Sequence, residues 1–257
     1  MADPIADRRP TSINAARVQV LDERGSNSNA ADQLALDEAI LHAAGQQAIG
    51  WLRIWEFRKT TIVLGRSSRH QQEVDAAACE AAGIPVLRRC TGGATIVGGP
   101  GCLMYSIALP IDAHPELAKI NCCHDFVMAR VRAAAARQFA DVRIDGICDL
   151  VWRGRKVGGN AMRLTRDAML YHGTVLYAMD FQHWNRWLQF APRQPDYRGG
   201  RDHESFVGNL PIDSNQLRAD LCEAFAVTGT RNAEDFSVEV SRHSAERYSQ
   251  TSWHFRH

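Results

Sequence analysis

The segment from Arg143 to Tyr177 constrains this chain more than any other, and its centre is Arg155-Lys156-Val157-Gly158-Gly159-Asn160. Asp149-Leu150-Val151-Trp152 before it and Met169 to Tyr177 after it carry the apolar, β-branched and aromatic residues of strands. Two strands around this centre predict a tight Lys-Gly-Gly turn. The lysine is a marked choice, because Lys59, Lys119 and Lys156 are the three lysines among 30 basic residues. An ammonium is a compact point charge with three donors, suited to approach a phosphate or carboxylate, whereas a guanidinium is a planar fork. Gly158 and Gly159 carry no Cβ, so backbone N–H groups there can come close to an anion. Local residues weigh an anion-handling turn evenly against an ordinary glycine hairpin with a solvated lysine.

A second stretch, Arg88-Arg89-Cys90-Thr91-Gly92-Gly93-Ala94, sits in a glycine-rich run that reaches Gly101. Two arginines, a hydroxyl and small residues suit a loop that holds a phosphate or an acyl tail against the backbone. Structural glycines at a sheet corner would read the same way. After it, Leu103, Tyr105, Ile107 and Leu109 alternate with Cys102, Met104, Ser106 and Ala108, predicting a strand with one apolar face.

Elsewhere the pattern is of alternating strands and helices. Val18 to Leu21 reads as a first strand, and Ser28-Asn29 caps a helix running to about His42, with Asp37-Glu38 on a solvated face. Leu52–Trp55 and Thr60–Gly65 read as paired strands, and Val74–Ala82 as a short helix stopped by Gly83. A helix from about Pro115 places Ile120, Cys123, Val127, Val131 and Ala134 on one face. Phe181–Leu188 and the segment from His203 read as short helical turns around an Arg-bearing loop, and the last 40 or so residues are polar and helical in flavour.

The net charge of +1 disfavours a general nucleic-acid or membrane surface, and no apolar run approaches the ~20 residues of a membrane span. The first residues lack the pattern of a signal peptide, so a cytoplasmic protein is expected. Seven scattered cysteines without a CxxC pair read as reduced, mostly buried thiols, and Cys122-Cys123-His124 does not read as a metal site, since adjacent helix positions point apart.

Taken together, the two stretches resemble the lipoate–protein ligase and octanoyltransferase family, which shares its fold with biotin–protein ligases. Residues 88–93 resemble its RRx(S/T)GGG motif. Asp149-Leu150 with Arg155-Lys156-Val157-Gly158-Gly159-Asn160-Ala161 resembles its DL…(R/K)K(V/I)(S/A/G)G(S/N)A motif, and Tyr171-His172-Gly173-Thr174-Val175-Leu176 its HGT(L/I)L strand. Three ordered motifs are more specific than one glycine loop. Ala94 replaces the third glycine, and Gly98 stands where many ligases have histidine. The biotin ligases' GRGR-type loop is absent. The resemblance implies an α+β fold, a mixed β-sheet packed by helices in a biotin/lipoate–protein ligase-like catalytic domain. That domain is expected over residues 17–257, after a flexible arm at 1–16 and without the C-terminal accessory domain of two-domain ligases.

The implied chemistry is activation of lipoate or octanoate by ATP and Mg²⁺ to an acyl-adenylate, then transfer to a lysine. The acceptors would be lipoyl domains of 2-oxoacid dehydrogenases or the glycine cleavage H protein, with a separate accessory chain as a further partner. Lys156 would stabilise developing negative charge. Arg88 and Arg89 would order the loop and hold phosphate or carboxylate oxygens, and Thr91, Gly92, Gly93 and Ala94 would line the acyl tunnel. Asp149 would bind Mg²⁺ or orient Lys156, Gly158 and Gly159 would let the substrate approach, Asn160 would donate to its carbonyl, and His172 and Gly173 would close the pocket. The alternative is an ATP-independent octanoyltransferase that draws on acyl carrier protein through Cys148, whose thiol a nearby ammonium would acidify. A non-catalytic lipoyl-binding relative is the third reading.

Overall fold

The structure, a computed structural model, describes residues 17–23, 28–190 and 194–257; the expected arm at 1–16 lies outside them. Twelve strands form three sheets among the described residues. They are β1 (Val18–Asp22), β2 (Gly50–Trp55), β3 (Thr61–Leu64), β4 (Val86–Arg88), β5 (Ile96–Gly98), β6 (Cys102–Pro110), β7 (Arg143–Asp145), β8 (Asp149–Trp152), β9 (Arg155–Gly158), β10 (Asn160–Leu164), β11 (Ala168–Leu176) and β12 (Val227–Asn232). The main sheet runs β10-β11-β6-β2-β1-β12 and is mixed: β10, β11, β6 and β2 are antiparallel neighbours, while β1 lies parallel to both β2 and β12. The small sheets are β4-β3-β5 and β7-β8-β9. The α+β architecture expected from the sequence is the one observed.

Helices α1 (Ala30–Gln47), α2 (Ala76–Ala81), α3 (Ile120–Ala136) and α4 (Ser214–Ala224) are among those that pack on this frame. Asn29 caps α1, its side chain accepting from the N–H of Asp32 at 3.0 Å. The helix runs beyond His42 because Ala43 and Ala44 are buried as well. Gly83, at φ +66°, follows the turn that ends α2.

The sheet is covered on both sides, which corrects the expectation of one apolar face on β6. Cys102, Met104 and Ala108 join a core with α1, whereas Leu103, Tyr105, Ile107 and Leu109 join a second core with α3 and α4. All nine residues of β6 are buried. A strand alternating between two apolar layers has no solvated side for its pattern to report. The strands at 52–55 and 61–64 do not pair, since β2 bonds to β1 and β6, and β3 to β4 and β5. The segment from Pro115 begins as a 3₁₀ turn, with α3 starting at Ile120, which is itself 56% exposed.

Asp37 and Glu38 are not on a solvated face; both are buried against the sheet. The turn in the central segment is also displaced from its expected place. Arg153 and Gly154, with φ +49° and +74°, make the β8–β9 turn, and Lys156 lies within β9 opposite Val151. β12 was not expected, and it places a polar edge strand beside β1.

Candidate active site

β8 and β9 set Asp149 and Lys156 side by side, with Lys156 Nζ 2.8 Å from Asp149 Oδ1. The Tyr197 hydroxyl donates to the other oxygen, Oδ2, at 2.8 Å. Gly159 leaves room for the lysine: a Cβ there would lie 2.7 Å from Cε and 2.8 Å from Nζ of Lys156 and displace them. Its N–H donates to Thr174 Oγ1 at 3.2 Å, so the glycine seats the lysine and does not present a donor to an anion. A Cβ at Gly158 would overlap the Thr174 carbonyl, and one at Gly173 would overlap the Asn160 side chain. Asn160 itself is engaged, with Nδ2 donating to the Cys148 carbonyl at 2.6 Å and Oδ1 accepting from Tyr105.

The two loop arginines point into the protein. Arg88 donates to the carbonyls of Gly65 at 2.7 Å, Ser68 at 2.8 Å and His254 at 3.0 Å, away from the site. Arg89 donates from Nε to Thr91 Oγ1 at 2.9 Å and from Nη2 to the carbonyls of Gly92 at 2.6 Å and Ala94 at 2.9 Å. Burial lowers both guanidinium groups to about 10. Their observed bonds order the glycine loop. The bonds they make go to the protein's own oxygens, and a hold on ligand oxygens, the other half of the expectation, is not among them. Gly93, at φ +81°, lets the loop turn above Arg89. Gly98, at the histidine position of many ligases, packs against Phe57, whose Cδ2 would lie 2.6 Å from a Cβ.

Behind the loop lies a buried chain of polar side chains that reading the sequence missed. Arg53 holds Asp37, the other Asp37 oxygen sits 2.7 Å from His172 Nδ1, and His172 Nε2 sits 2.6 Å from Thr91 Oγ1. Burial raises the Asp37 pKa, but Arg53 and His172 outweigh it and hold the carboxyl below its ordinary value. Glu38 is treated likewise: against burial, Arg247, Tyr248 and Arg163 bring it down to about 2. An Asp-Glu pair on a predicted helix gave no sign of this, because the partners come from β2, β10, β11 and residues 247–248.

All seven cysteines are free thiols, five of them buried. Cys148 lies 3.5 Å from the Asn160 carbonyl. Burial and Asp149 raise its pKa above the ordinary thiol value despite the nearby Lys156 ammonium, opposite to the direction expected from the sequence. Asp149 supplies a single carboxylate with both oxygens engaged, and the described residues contain no cluster of three His, Cys, Asp or Glu side chains placed for a metal. A resident, protein-held Mg²⁺ does not fit this donor set.

Three cavities meet at Lys156. One is apolar, walled by Leu34, Val63, Ile96, Met104 and Ala161, with His172 among its lining. The second runs over Gly158, Gly159 and Thr174 towards Trp184 and Phe206. The third is an open groove past Cys148, Asp149 and Tyr197. Lys156 and Ala94 line all three.

The chain has relatives among known proteins. Residues 29–225 match the model of the lipoyl protein ligase A/B catalytic domain. The chain belongs to that family. It is 27% identical to the octanoyltransferase LipM of Carboxydothermus hydrogenoformans, over 88% of this chain and 94% of the relative. It is 22% identical to lipoate–protein ligase 1 of Staphylococcus aureus, over 90% of this chain and 72% of that one. Among solved structures it resembles protein Ta0514 of T. acidophilum, solved with bound lipoic acid. The TM-score is 0.76 at 19% identity, over 93% of this chain and 99% of the other, which shows the shared fold. Among the described residues no helix is long and apolar enough to cross a membrane.

Proposed function

We propose that this protein attaches a lipoyl or octanoyl group to a lysine of an acceptor protein, and that it does so as an ATP-dependent ligase. The observation that carries the reading is the meeting of three cavities at Lys156. A ligase must bring an acyl chain, a nucleotide and an acceptor amine to one point, and the apolar cavity, the glycine-floored cavity and the open groove suit those three in turn. In the first step a carboxylate oxygen attacks the α-phosphorus of ATP and pyrophosphate leaves. In the second, the acceptor lysine attacks the acyl carbon, AMP leaves with the C–O bond electrons, and the amine loses a proton. The Lys156 ammonium, oriented by Asp149 and Tyr197, sits where negative charge builds up in both steps. Mg²⁺ belongs to the nucleotide substrate in this scheme, carried by its phosphates.

Acceptors of the lipoyl-domain kind, from 2-oxoacid dehydrogenases or the glycine cleavage system, fit the reading. A bipartite archaeal ligase and its E2 lipoyl domain, from Thermoplasma acidophilum, shares the fold with a TM-score of 0.73 at 20% identity, and lends support to an acceptor of this class and to an accessory chain. The second reading, octanoyl transfer from acyl carrier protein through Cys148, is favoured by the LipM relative. The raised thiol pKa weighs against it.

A mass shift on a purified lipoyl acceptor domain separates the two. Modification with ATP, Mg²⁺ and lipoate or octanoate, and none with octanoyl carrier protein alone, is the expected result. The reverse pattern establishes the transferase, and silence in both, also with an accessory chain added, leaves a binding protein.

A further inference from the structure

Taking the acyl-attachment reading as its base, we propose that the open groove beside Lys156 is the entry for the acceptor protein's lysine, with Ile147 as the apolar contact and Asp145 and Asp196 drawing in the ammonium. Two loops, 145–148 and 195–197, line the groove together with residues 92–94 and 160–162. They touch across Gly146, where a Cβ would stand 3.5 Å from both Pro195 Cβ and Tyr197 Cε1. Ile147 projects from one lip and is 81% exposed, the largest fraction for a large apolar side chain among the described residues. A single exposed isoleucine is ordinary. Its place at the mouth of a groove that ends on Lys156 is what gives it a role.

The charges in the groove select the occupant. Asp145, Asp149 and Asp196 line it. The cationic side chains lining it are Lys156, already against Asp149, and His124, whose imidazole burial drives towards its neutral form and which bonds the Tyr171 hydroxyl at 2.9 Å. Arg143, which does not line the groove, stands 3.6 Å from Asp145 and tempers it. Among the described residues that line the groove, Asp145 and Asp196 are left as acidic groups, complementary to a lysine ammonium and repulsive to a nucleotide's phosphates. A protein that presents a lysine beside an apolar side chain therefore fits this groove, while the acyl chain and nucleotide take the other two cavities.

The test pairs the acceptor domain with a small nucleophile. Hydroxylamine captures an activated acyl group as a hydroxamate without needing to dock. In Ile147→Arg and Asp196→Lys, the KM for the acceptor domain is expected to rise tenfold or more, with kcat at saturating acceptor and the hydroxamate rate unchanged. An unchanged KM overturns the proposal, and so does a parallel fall in hydroxamate formation, which would mean damage at the reacting centre. A change in the protein's own solution mass in Ile147→Arg would assign the face to a second copy and overturn it too. If the unaltered protein gives neither hydroxamate nor modified acceptor, the acyl-attachment reading itself fails, and this proposal with it.

Discussion

His172 Nδ1 lies 2.7 Å from Asp37 Oδ2, across 135 residues of sequence. A carboxylate can only accept there, so Nδ1 carries a proton, and Nε2 on the far side of the ring lies 2.6 Å from Thr91 Oγ1. Thr91 Oγ1 in turn accepts from Arg89, which holds the glycine loop by the carbonyls of Gly92 and Ala94. The loop that borders all three cavities is thus set by a residue on α1.

Asp37→Asn leaves Arg53 buried with one charge partner fewer and offers His172 a group that can rotate to the wrong tautomer partner. Stability is expected to fall by about 3 kcal/mol, the scale of breaking a buried ion pair, read from denaturant unfolding. The KM for the acyl substrate should rise in the same variant as the loop loosens. Loss of stability with an unchanged KM would mean that the chain of side chains does not reach the loop.

Glu38 makes acid stability measurable. Its folded value of about 2 lies below the ordinary 4.5, so its contribution is complete above pH 4.5 and is lost as pH falls from there through about 2. That difference is worth about 3 kcal/mol. The unfolding midpoint should drop across this window in the unaltered protein and flatten in Glu38→Gln. Equal slopes for the two would remove Glu38 from the acid limb.

The neighbouring glycines should behave differently. A Cβ at Gly159 meets the far end of Lys156, which is flexible, so Gly159→Ala is expected to keep its melting temperature within a few degrees and lose acyl transfer. A Cβ at Gly158 overlaps the Thr174 backbone carbonyl, so Gly158→Ala should unfold at markedly lower temperature. Thermal melts beside activity assays decide both.

Lys156→Ala should cost acyl transfer a hundredfold or more while leaving the fold intact. Lys156→Arg should also be inactive, since a planar guanidinium cannot sit over Gly159 as the ammonium does. Cys148→Ser is expected to spare activity with ATP and lipoate. Its raised pKa also predicts slow alkylation by iodoacetamide at neutral pH, measured by mass. Full loss of activity in Cys148→Ser would favour the transferase reading.

The sequence by itself determined the elements whose causes are local. Asn29 ahead of an apolar helix marked the start of α1, apolar, β-branched and aromatic residues marked β2, β3 and β11, and alternation marked β6. The ordered motifs pointed to the family and put Asp149 and Lys156 at one site, with Mg²⁺ binding or orientation of the lysine open to Asp149; the fold pairs the two. Only the tertiary structure decided what depends on distant partners. Asp37 and Glu38 read as solvated because nothing nearby in the chain compensates their charge; Arg53, Arg163, His172 and Arg247 do so from other elements. β12, with the sequence Val-Thr-Gly-Thr-Arg-Asn, has little strand character of its own and is held by parallel pairing with β1. The arginines of the loop motif carried the same ambiguity: their positive charge suggested a ligand, and burial against backbone carbonyls turned them into supports for the loop. Charge is legible in a sequence, but which oxygen a charge meets is set by the fold.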